Sequence, residues 1–267
     1  MELPDHLSVS QITKFLICPL AYRFHYLDGI ETGIKSSSFA LGTSFHRAAE
    51  HLHKHMINGG VKPPQVYRDV LGDSLKVEFG NFDVQVKDGE SQDSLTEEGG
   101  RLVDAYVDYR TSQPAEILTV EQRIERELVN VQTGEVLDLP FVAFVDLIEK
   151  EEAGLVVVDL KTAKRSYNQA VVDANIQITC YALLVLLETS KPPRLRIDAV
   201  VRNKTPKIQR IETTRSEDDL VRFWALARSV RQAIEAGVFH PNPGSWSCAT
   251  CEFAEHCQRW GLQEESK

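Results

Sequence analysis

An aspartate lies inside each of two consecutive apolar segments, and this pattern limits the folds that the chain can adopt. Asp146 lies within Phe141–Ile148, and Asp159 lies within the valine-rich segment Leu155–Leu160, which is followed by Lys161. Such segments are typical of β-strands. An ionised carboxylate buried among apolar neighbours costs several kcal/mol unless a cation satisfies it. We therefore expect both strands to meet at a site that supplies positive charge.

The spacing of Asp159 and Lys161 indicates how that site could work. Side chains two residues apart on a strand point to the same face, so both project together from the end of Leu155–Leu160. Two acids on adjacent strands suit Mg²⁺ or Mn²⁺, which prefer oxygen ligands. Lys161 could then hold a nucleophile or stabilise charge on a phosphate during phosphodiester hydrolysis. The alternative is a partly buried Asp–Lys ion pair at the end of a sheet, because Asp-x-Lys is a short pattern.

The remaining periodicity predicts an α/β fold with a mixed sheet. Predicted helices cover Leu7–Leu27 with a kink or end at Pro19, a segment from Thr43 or Ser44 to Gly59, Val171–Glu188, and a segment from Ser216 to Gly237. Predicted strands cover Ile117–Val131 and Val136–Glu149 as a hairpin, then Leu155–Leu160, Leu195–Arg202 and Lys207–Thr213. Residues 60–116 look polar and helical.

Charge and hydropathy exclude some classes of protein. The formal net charge of −9 argues against coating nucleic acid by bulk charge. Residues 78–100 are acidic and are interpreted as a solvated face. Residues 194–215 carry seven bases and two acids; they form either a solvated face or a guide for a phosphate backbone. The longest apolar run, Cys180–Leu187, is shorter than the roughly 20 residues of a membrane helix. Without a visible export signal, we expect a cytoplasmic, nucleoid-associated protein with no membrane contact.

Four of the five cysteines suggest a second metal site. Cys18 lies near one end, and Cys248-x₂-Cys251-x₅-Cys257 lies near the other. Four thiolates can bind zinc or an iron–sulfur cluster, and the C-x₂-C spacing alone slightly favours zinc. His256 is a substitute ligand if one cysteine is not used. Cys180 is interpreted as an ordinary buried thiol.

The order of these motifs resembles the PD-(D/E)XK nuclease superfamily, specifically its RecB-like branch. That branch includes the nuclease domains of RecB and AddB, the CRISPR-adaptation nucleases and the mitochondrial single-strand exonucleases. The matching pieces, which span nearly the whole chain, are Ser8–Ser10, Cys18-Pro19, Gly42-Thr43, His46, Glu50, Glu121, Val145-Asp146, Asp159–Thr162, Gln177, Tyr181 and the terminal cysteines. One departure is Ala143, where the family usually has glycine.

The resemblance implies a role for each matching residue. Asp146, Asp159, the Leu160 carbonyl and His46 would bind Mg²⁺ or Mn²⁺, Lys161 would serve catalysis, and Glu121 would support it. Gln177 and Tyr181 would face the groove and the DNA; the alternative is that both are polar positions on a core helix. Cys18, Cys248, Cys251 and Cys257 would hold a structural [4Fe–4S] cluster, with Zn²⁺ as the alternative.

The implied fold is a restriction-endonuclease-like core, in which a central mixed sheet is flanked by helices and a metal cluster joins the N- and C-terminal segments. Residues 1–267 would form a single domain, with 1–41 and 238–267 as the cluster-binding lobe, 42–59 and 117–237 as the nuclease core, and 60–116 as a helical insertion.

The implied activity is metal-dependent exonuclease action on single-stranded DNA in repair or recombination. A helicase or a single-strand-binding protein is the expected protein partner. Two alternatives stay open. One is a nuclease subunit of a separate helicase complex, and the other is a non-catalytic iron–sulfur DNA-binding module.

Overall fold

The computed structural model describes residues 3–262 and has the mixed α/β architecture that the sequence predicts. Its helices are α1 (Val9–Ile17), α2 (Pro19–Tyr22), α3 (Ser37–Ile57), α4 (Pro64–Asn81), α5 (Gln92–Ser112), α6 (Gln169–Asp173), α7 (Ile176–Thr189), α8 (Glu217–Glu235) and α9 (Ala254–Arg259). Its strands are β1 (Leu7–Ser8), β2 (Ile34–Ser36), β3 (Asp83–Gln85), β4 (Glu116–Val129), β5 (Val136–Glu151), β6 (Gly154–Ala163), β7 (Arg194–Val201) and β8 (Lys207–Thr213).

The main sheet has the order β1-β5-β6-β7-β8, and β4 also pairs with β5. Strands β5 and β6 are antiparallel, β6 and β7 are parallel, and β7 and β8 are antiparallel. The sheet is therefore mixed, as predicted. The parallel step from β6 to β7 requires a crossover connection, which α6 and α7 provide.

The chain divides into two units. The first contains the described residues up to Thr32, residues 125–142 and the described residues from Glu217 onward, and the second contains residues 33–124 and 143–216. Compared with the predicted lobes, residues 33–41 and 60–116 lie in the second unit, and residues 125–142 and 217–237 lie in the first. Within the first unit, Phe223 of α8 packs edge-on against Phe141, with 5.9 Å between the ring centroids.

In the second unit, α3, α4 and α5 share one apolar core with the sheet. Buried side chains from these helices pack together with Leu160 of β6 and Val200 of β7. Because Leu160 faces this layer, alternation along β6 directs Asp159 and Lys161 to the opposite face, where α7 supplies Gln177. The packing of Leu160 therefore fixes the direction of the two polar side chains.

Helix α3 begins earlier than the predicted start at Thr43 or Ser44. Ser36 is its N-cap, and its hydroxyl accepts a hydrogen bond from the amide of Phe39 at 3.3 Å. The apolar stripe of α3 begins several residues after its N-cap, so hydrophobic periodicity predicts a helix start that is too late. The predicted helix Leu7–Leu27 is divided at Cys18, as Pro19 requires, and it ends in a π-helical turn from Arg23 to Leu27.

Four of the seven bases in the basic segment 194–215 form ion pairs within the second unit, so these four offer less positive charge to a DNA phosphate than the sequence suggests. Arg196 is 1% exposed and contacts Asp198 and Glu149 at 2.9 Å and 2.7 Å. Further charge pairs are Arg194 and Arg210 with Glu151 and Glu212, and Arg202 with Glu98. Within residues 3–262, none of the helices is both long and apolar enough to cross a bilayer.

Candidate active site

The two aspartates meet where β5 and β6 separate. The ladder between these strands runs from Glu151 and Gly154 to Leu147 and Val158. Asp146 and Asp159 are the next residues along each strand. Asp146 Oδ2 accepts a hydrogen bond from the Leu160 amide at 2.7 Å, which replaces a strand-to-strand bond and holds the carboxylate at this opening.

His46 and Glu121 complete a group of metal-ligating atoms around Asp146. One ligand atom from each of these three residues lies within 4.8 Å of the other two. His46 Nδ1 is 3.9 Å from Glu121 Oε1 and 3.8 Å from Asp146 Oδ1. His46 comes from α3, Glu121 from β4 and Asp146 from β5, so three separate elements supply one candidate cation site.

Glu121 has a backbone conformation that is rare for its residue type. Its φ is 48°, in the left-handed region, although it lies inside β4. Such a conformation costs a non-glycine residue about 1–2 kcal/mol. It also interrupts the alternation of the strand, so the sequence could not indicate where this side chain would point. Strained residues of this kind cluster at functional sites.

Lys161 begins a chain of hydrogen bonds that runs into the interior. Its Nζ donates to Asp159 Oδ1 at 2.9 Å and to Gln177 Oε1 at 2.8 Å. Gln177 Nε2 donates to the Tyr181 hydroxyl at 2.6 Å, and that hydroxyl donates to the Phe144 carbonyl at 2.6 Å. The amide of Gln177 is therefore oriented, and it fixes the lysine ammonium beside the aspartate.

Tyr181 lies deeper than the sequence analysis placed it. Its side chain belongs to α7 and is only 2% exposed. The predicted contact between its ring and DNA would require the ring to leave this position. Burial also raises the pKa of the Tyr181 hydroxyl well above its usual value. Tyr181 therefore stays a neutral hydrogen-bonding group that positions Gln177.

The charges of the site are unbalanced without a cation. Burial and the nearby Asp159 raise the pKa of Asp146 to about 6, although His46 and Lys161 oppose this rise. Burial alone would lower the pKa of His46, but the nearby carboxylates of Glu121 and Asp146 raise it. Likewise, the two aspartates raise the pKa of Lys161 against the effect of burial. Three carboxylates at one place thus favour any cation that approaches them.

The donor set fits a hard divalent cation. Asp159 is fully buried, and its Oδ2 has no hydrogen-bond partner among residues 3–262. A buried carboxylate oxygen left unsatisfied is costly, and a coordinated ion removes that cost. Carboxylate oxygens with one imidazole nitrogen are ligands that Mg²⁺ and Mn²⁺ accept.

The four cysteines Cys18, Cys248, Cys251 and Cys257, called the cysteine lobe below, lie in the first unit. Cys18 caps α1 just before Pro19, Cys248 opens a 3₁₀ turn, Cys251 follows that turn, and Cys257 lies on α9. Cys18, Cys251 and Cys257 all pack against one apolar cluster formed by Leu20, Phe24 and Phe253. The amino- and carboxy-terminal segments therefore meet through this cluster.

Polar contacts hold the same segments together. Lys14 Nζ contacts Glu252 Oε1 at 2.9 Å, and the Ile17 carbonyl accepts a hydrogen bond from Asn242 Nδ2 at 3.0 Å. Burial, followed by the charges of Cys18, Cys251 and Cys248, raises the pKa of Cys257. The four thiols are thus electrostatic neighbours, although 230 residues separate Cys18 from Cys248.

Comparisons with known proteins agree with this geometry. The model of the PD-(D/E)XK nuclease superfamily matches residues 6–258. The fold is similar to that of a candidate exonuclease from Eubacterium rectale, with a TM-score of 0.58 and 15% identity over 96% of this chain and 93% of that protein. The solved structure of SSO0001 aligns over 92% of this chain and 95% of its own at 15% identity, with a TM-score of 0.39 that supports no conclusion. No curated protein matches the sequence. Because the family model covers nearly the whole chain, this protein belongs to the PD-(D/E)XK nuclease superfamily.

Proposed function

We propose that this protein is a Mg²⁺- or Mn²⁺-dependent exonuclease that hydrolyses phosphodiester bonds of single-stranded DNA, in repair or recombination. The observation that carries the proposal is the meeting of His46, Glu121 and Asp146 within 4.8 Å, beside the unsatisfied oxygen of Asp159. Membership of a nuclease superfamily supports the reaction type. The fold shared with a candidate exonuclease and the motif order of the RecB-like branch support the exonuclease assignment.

The cation would be held by His46, Asp146, Asp159 and the Leu160 carbonyl, with Glu121 in support. When bound, such an ion polarises a phosphoryl oxygen and makes water acidic enough to attack at neutral pH. The chain itself contributes the fixed positions of the ligands. The Leu160 amide holds Asp146, and the backbone conformation of Glu121 brings its carboxylate to the same place.

Lys161 would act on the phosphate and the nucleophile. Its ammonium is held between Asp159 and Gln177, so two of its hydrogen bonds are used for orientation and a third donor stays available. A preorganised donor stabilises charge that develops in the transition state without reorganising at that moment. Gln177, fixed by Tyr181, would set the direction of this donor.

The proposal is tested by removing the carboxylate of Asp159. In Asp159→Ala, we expect the Mg²⁺- or Mn²⁺-dependent digestion of end-labelled single-stranded DNA to fall by about 10²-fold or more, because both the cation and Lys161 lose a partner. Circular dichroism should show that the fold is retained. Asp73→Ala changes a solvent-facing acid on α4 and should leave digestion unchanged. Full activity in Asp159→Ala would exclude this mechanism.

The four cysteines would hold a structural [4Fe–4S] cluster, with Zn²⁺ as the alternative ligand. Hydrolysis involves no electron transfer, so the cluster would act only on stability. Aerobic and anaerobic purification followed by iron and zinc analysis distinguishes the two. Iron with brown colour supports the cluster, zinc supports the alternative, and neither metal in anaerobic protein would contradict both.

A further inference from the structure

Two lysines of the second unit approach each other just beyond the end of β6. Lys164 Nζ is 3.4 Å from Glu90 Oε1, and the Lys87 amide donates to Glu90 Oε2 at 3.1 Å. The adjacent ammonium of Lys164 lowers the pKa of Lys87, because like charges at short range oppose protonation. Glu90 thus contacts the ammonium of Lys164 and the backbone amide of Lys87. Lys87 and Lys164 are called the lysine pair below.

Phe39 is 73% exposed, more than any other large apolar side chain that the structure describes in the second unit. It is in the first turn of α3, two residues after Ser37. The Ser37 hydroxyl donates to Glu90 at 2.6 Å, and Glu90 also contacts Lys164. One carboxylate therefore ties the start of α3 to the lysine pair. An aromatic ring this exposed gains nothing from the core of its own unit.

Both features lie close to the candidate metal site. Phe39 and His46 are seven residues apart on α3, so they are on nearly the same helix face at about 10 Å along the axis. Lys164 is three residues beyond Lys161, at most about 10 Å along an extended chain. Gly42, between Phe39 and His46, is where α3 passes close to β6, since a Cβ there would lie 3.6 Å from Thr162 Oγ1. The features therefore flank the metal site within the same unit.

We propose that the lysine pair and Phe39 form a binding site for single-stranded DNA, in which the lysines hold a backbone phosphate and the Phe39 ring stacks on an unpaired base near the cleaved bond. This inference rests on the proposed function and assigns the substrate contacts of the same site. Stacking platforms combined with cationic groups are a general way to bind single strands.

The chemistry of the site favours a single strand over a duplex. The faces of a base inside a duplex are covered by its neighbours, whereas an unpaired base offers a free face to a ring. Phe39 has no hydrogen-bonding group, so it would accept any base, as an exonuclease that digests arbitrary sequences requires. The lysines contact only phosphate and add no sequence preference.

The lysine pair is tested by the salt dependence of binding. In the Asp159→Ala background, which prevents digestion, the anisotropy of a labelled thymidine 20-mer is measured between 50 and 200 mM KCl. With both Lys87→Gln and Lys164→Gln, we expect weaker binding and a slope of log Kd against log salt that falls by about 0.7, the contribution of one phosphate contact on a single strand. Lys76→Gln on α4 should leave the slope unchanged. An unchanged slope in the double variant would overturn the phosphate contact.

The stacking contact is tested with Phe39→Ala in the same background. We expect Kd for the single strand to rise by about 5-fold or more at every salt concentration, with an unchanged slope, because the ring carries no charge. Val77→Ala, another exposed apolar residue on α4, is the matched control and should leave Kd unchanged. Equal affinity of Phe39→Ala and its parent would overturn the stacking contact.

These measurements separate the inference from the proposed function. A wild-type protein that binds through these residues but never cuts DNA supports the inference and contradicts the nuclease proposal. If the protein cuts single strands, but neither the lysine double variant nor Phe39→Ala changes binding, the nuclease proposal is supported and the inference is contradicted. Tighter binding to a blunt duplex than to the thymidine strand would also overturn the inference.

Discussion

Glu121 combines a candidate metal-ligating carboxylate with a backbone in the left-handed region. The carboxylate serves the candidate site, whereas the backbone conformation lowers stability. Its φ of 48° costs stability that an ordinary strand residue would not lose. The side chain nevertheless reaches His46 at 3.9 Å. We therefore expect the strained backbone of Glu121 to lower the stability of the fold while it places the carboxylate at the candidate metal site.

Replacing Glu121 by Asn should separate these two effects. Asparagine tolerates the left-handed region, so we expect the free energy of unfolding to stay equal or rise by up to about 1 kcal/mol. Its side chain is shorter and neutral, so digestion of single-stranded DNA should fall by about 10-fold or more. Urea unfolding and end-label assays measure both. Glu127→Asn on the same strand has an ordinary backbone and should lose stability without losing activity. Loss of stability in both variants would contradict the strain argument.

The buried His53 should make the free energy of unfolding depend on pH. It is 3% exposed, and its Nε2 lies 2.9 Å from the Tyr106 hydroxyl. Burial, with the charge of Arg110, lowers its pKa well below the usual value. The folded protein therefore excludes a proton that the unfolded chain accepts below a pH of about 6.5. The contribution of His53 to stability is thus present above that pH and is lost as the pH falls below it.

The substitution His53→Gln should flatten this dependence. Between pH 6.5 and 5, we expect the free energy of unfolding to fall less steeply in the variant, by up to about 1.4 kcal/mol per pH unit. Urea titrations at several pH values measure the slope, and other titrating groups cancel because they are common to both proteins. His51→Gln changes an exposed histidine on the same helix and should retain the wild-type slope. A parallel decline in His53→Gln would show that His53 does not cause it.

At the scale of elements, Gly99 determines how closely α5 approaches α3 and α4. A Cβ at this position would lie 2.7 Å from Leu71 and 2.9 Å from Leu41, both of which are fully buried. Alanine is about 1 kcal/mol better than glycine inside a helix, but overpacking a core costs about 1–3 kcal/mol. We expect Gly99→Ala to lower the free energy of unfolding by about 1 kcal/mol.

The neighbouring Gly100→Ala is the matched control. A Cβ there would meet only the Arg68 side chain at 3.7 Å, which is ordinary contact. The helix propensity then acts alone, and urea unfolding should show a gain of up to about 1 kcal/mol. If both alanines stabilise the protein equally, the packing of α5 does not depend on Gly99.

The sequence indicated the strands of the site better than its helices. Alternation along Leu155–Leu160 predicts β6 and the common face of Asp159 and Lys161 because a strand side chain has only two directions. The predicted helix Val171–Glu188 is instead divided into α6 and α7, since Asn175 caps α7 by accepting from the Ile178 amide at 3.1 Å. Apolar residues continue across that break and conceal it. The break places Gln177 in the first turn of α7, within reach of Lys161.

At the scale of the whole molecule, charge composition misled the sequence analysis because distant residues neutralise one another. Three arginines of segment 194–215 pair with Glu98, Glu149 and Glu151, which lie 43 to 104 residues away in sequence. No local count of charges contains that information. Conversely, Lys87 belongs to an acidic segment, yet the fold places it beside Lys164. The surface charge near the candidate site therefore depends on tertiary structure.

The cysteine lobe joins the amino- and carboxy-terminal segments of the first unit. A link between distant residues restricts the unfolded chain more than the folded one, and a ligand that binds only the folded state adds stability directly. Cross-links of this kind contribute about 2–4 kcal/mol when they are disulfides. For a protein of this size, each kcal/mol changes Tm by about 2–4 °C. With the proposed cluster in place, Cys257→Ser should lose that metal and lower Tm by about 5–10 °C, as measured by metal analysis and calorimetry.

The buried Cys180 provides the control for this loss. It lies on α7 in the second unit, whereas the apolar cluster that Cys18, Cys251 and Cys257 share belongs to the first unit. Cys180→Ala should keep the full metal content, and its Tm should fall only by the cost of a small cavity. If Cys257→Ser keeps both metal and Tm, then the apolar cluster and the Lys14–Glu252 pair alone hold the terminal segments together. If the parent protein contains no metal and Cys257→Ser still lowers Tm, then packing of the Cys257 thiol causes the stabilisation.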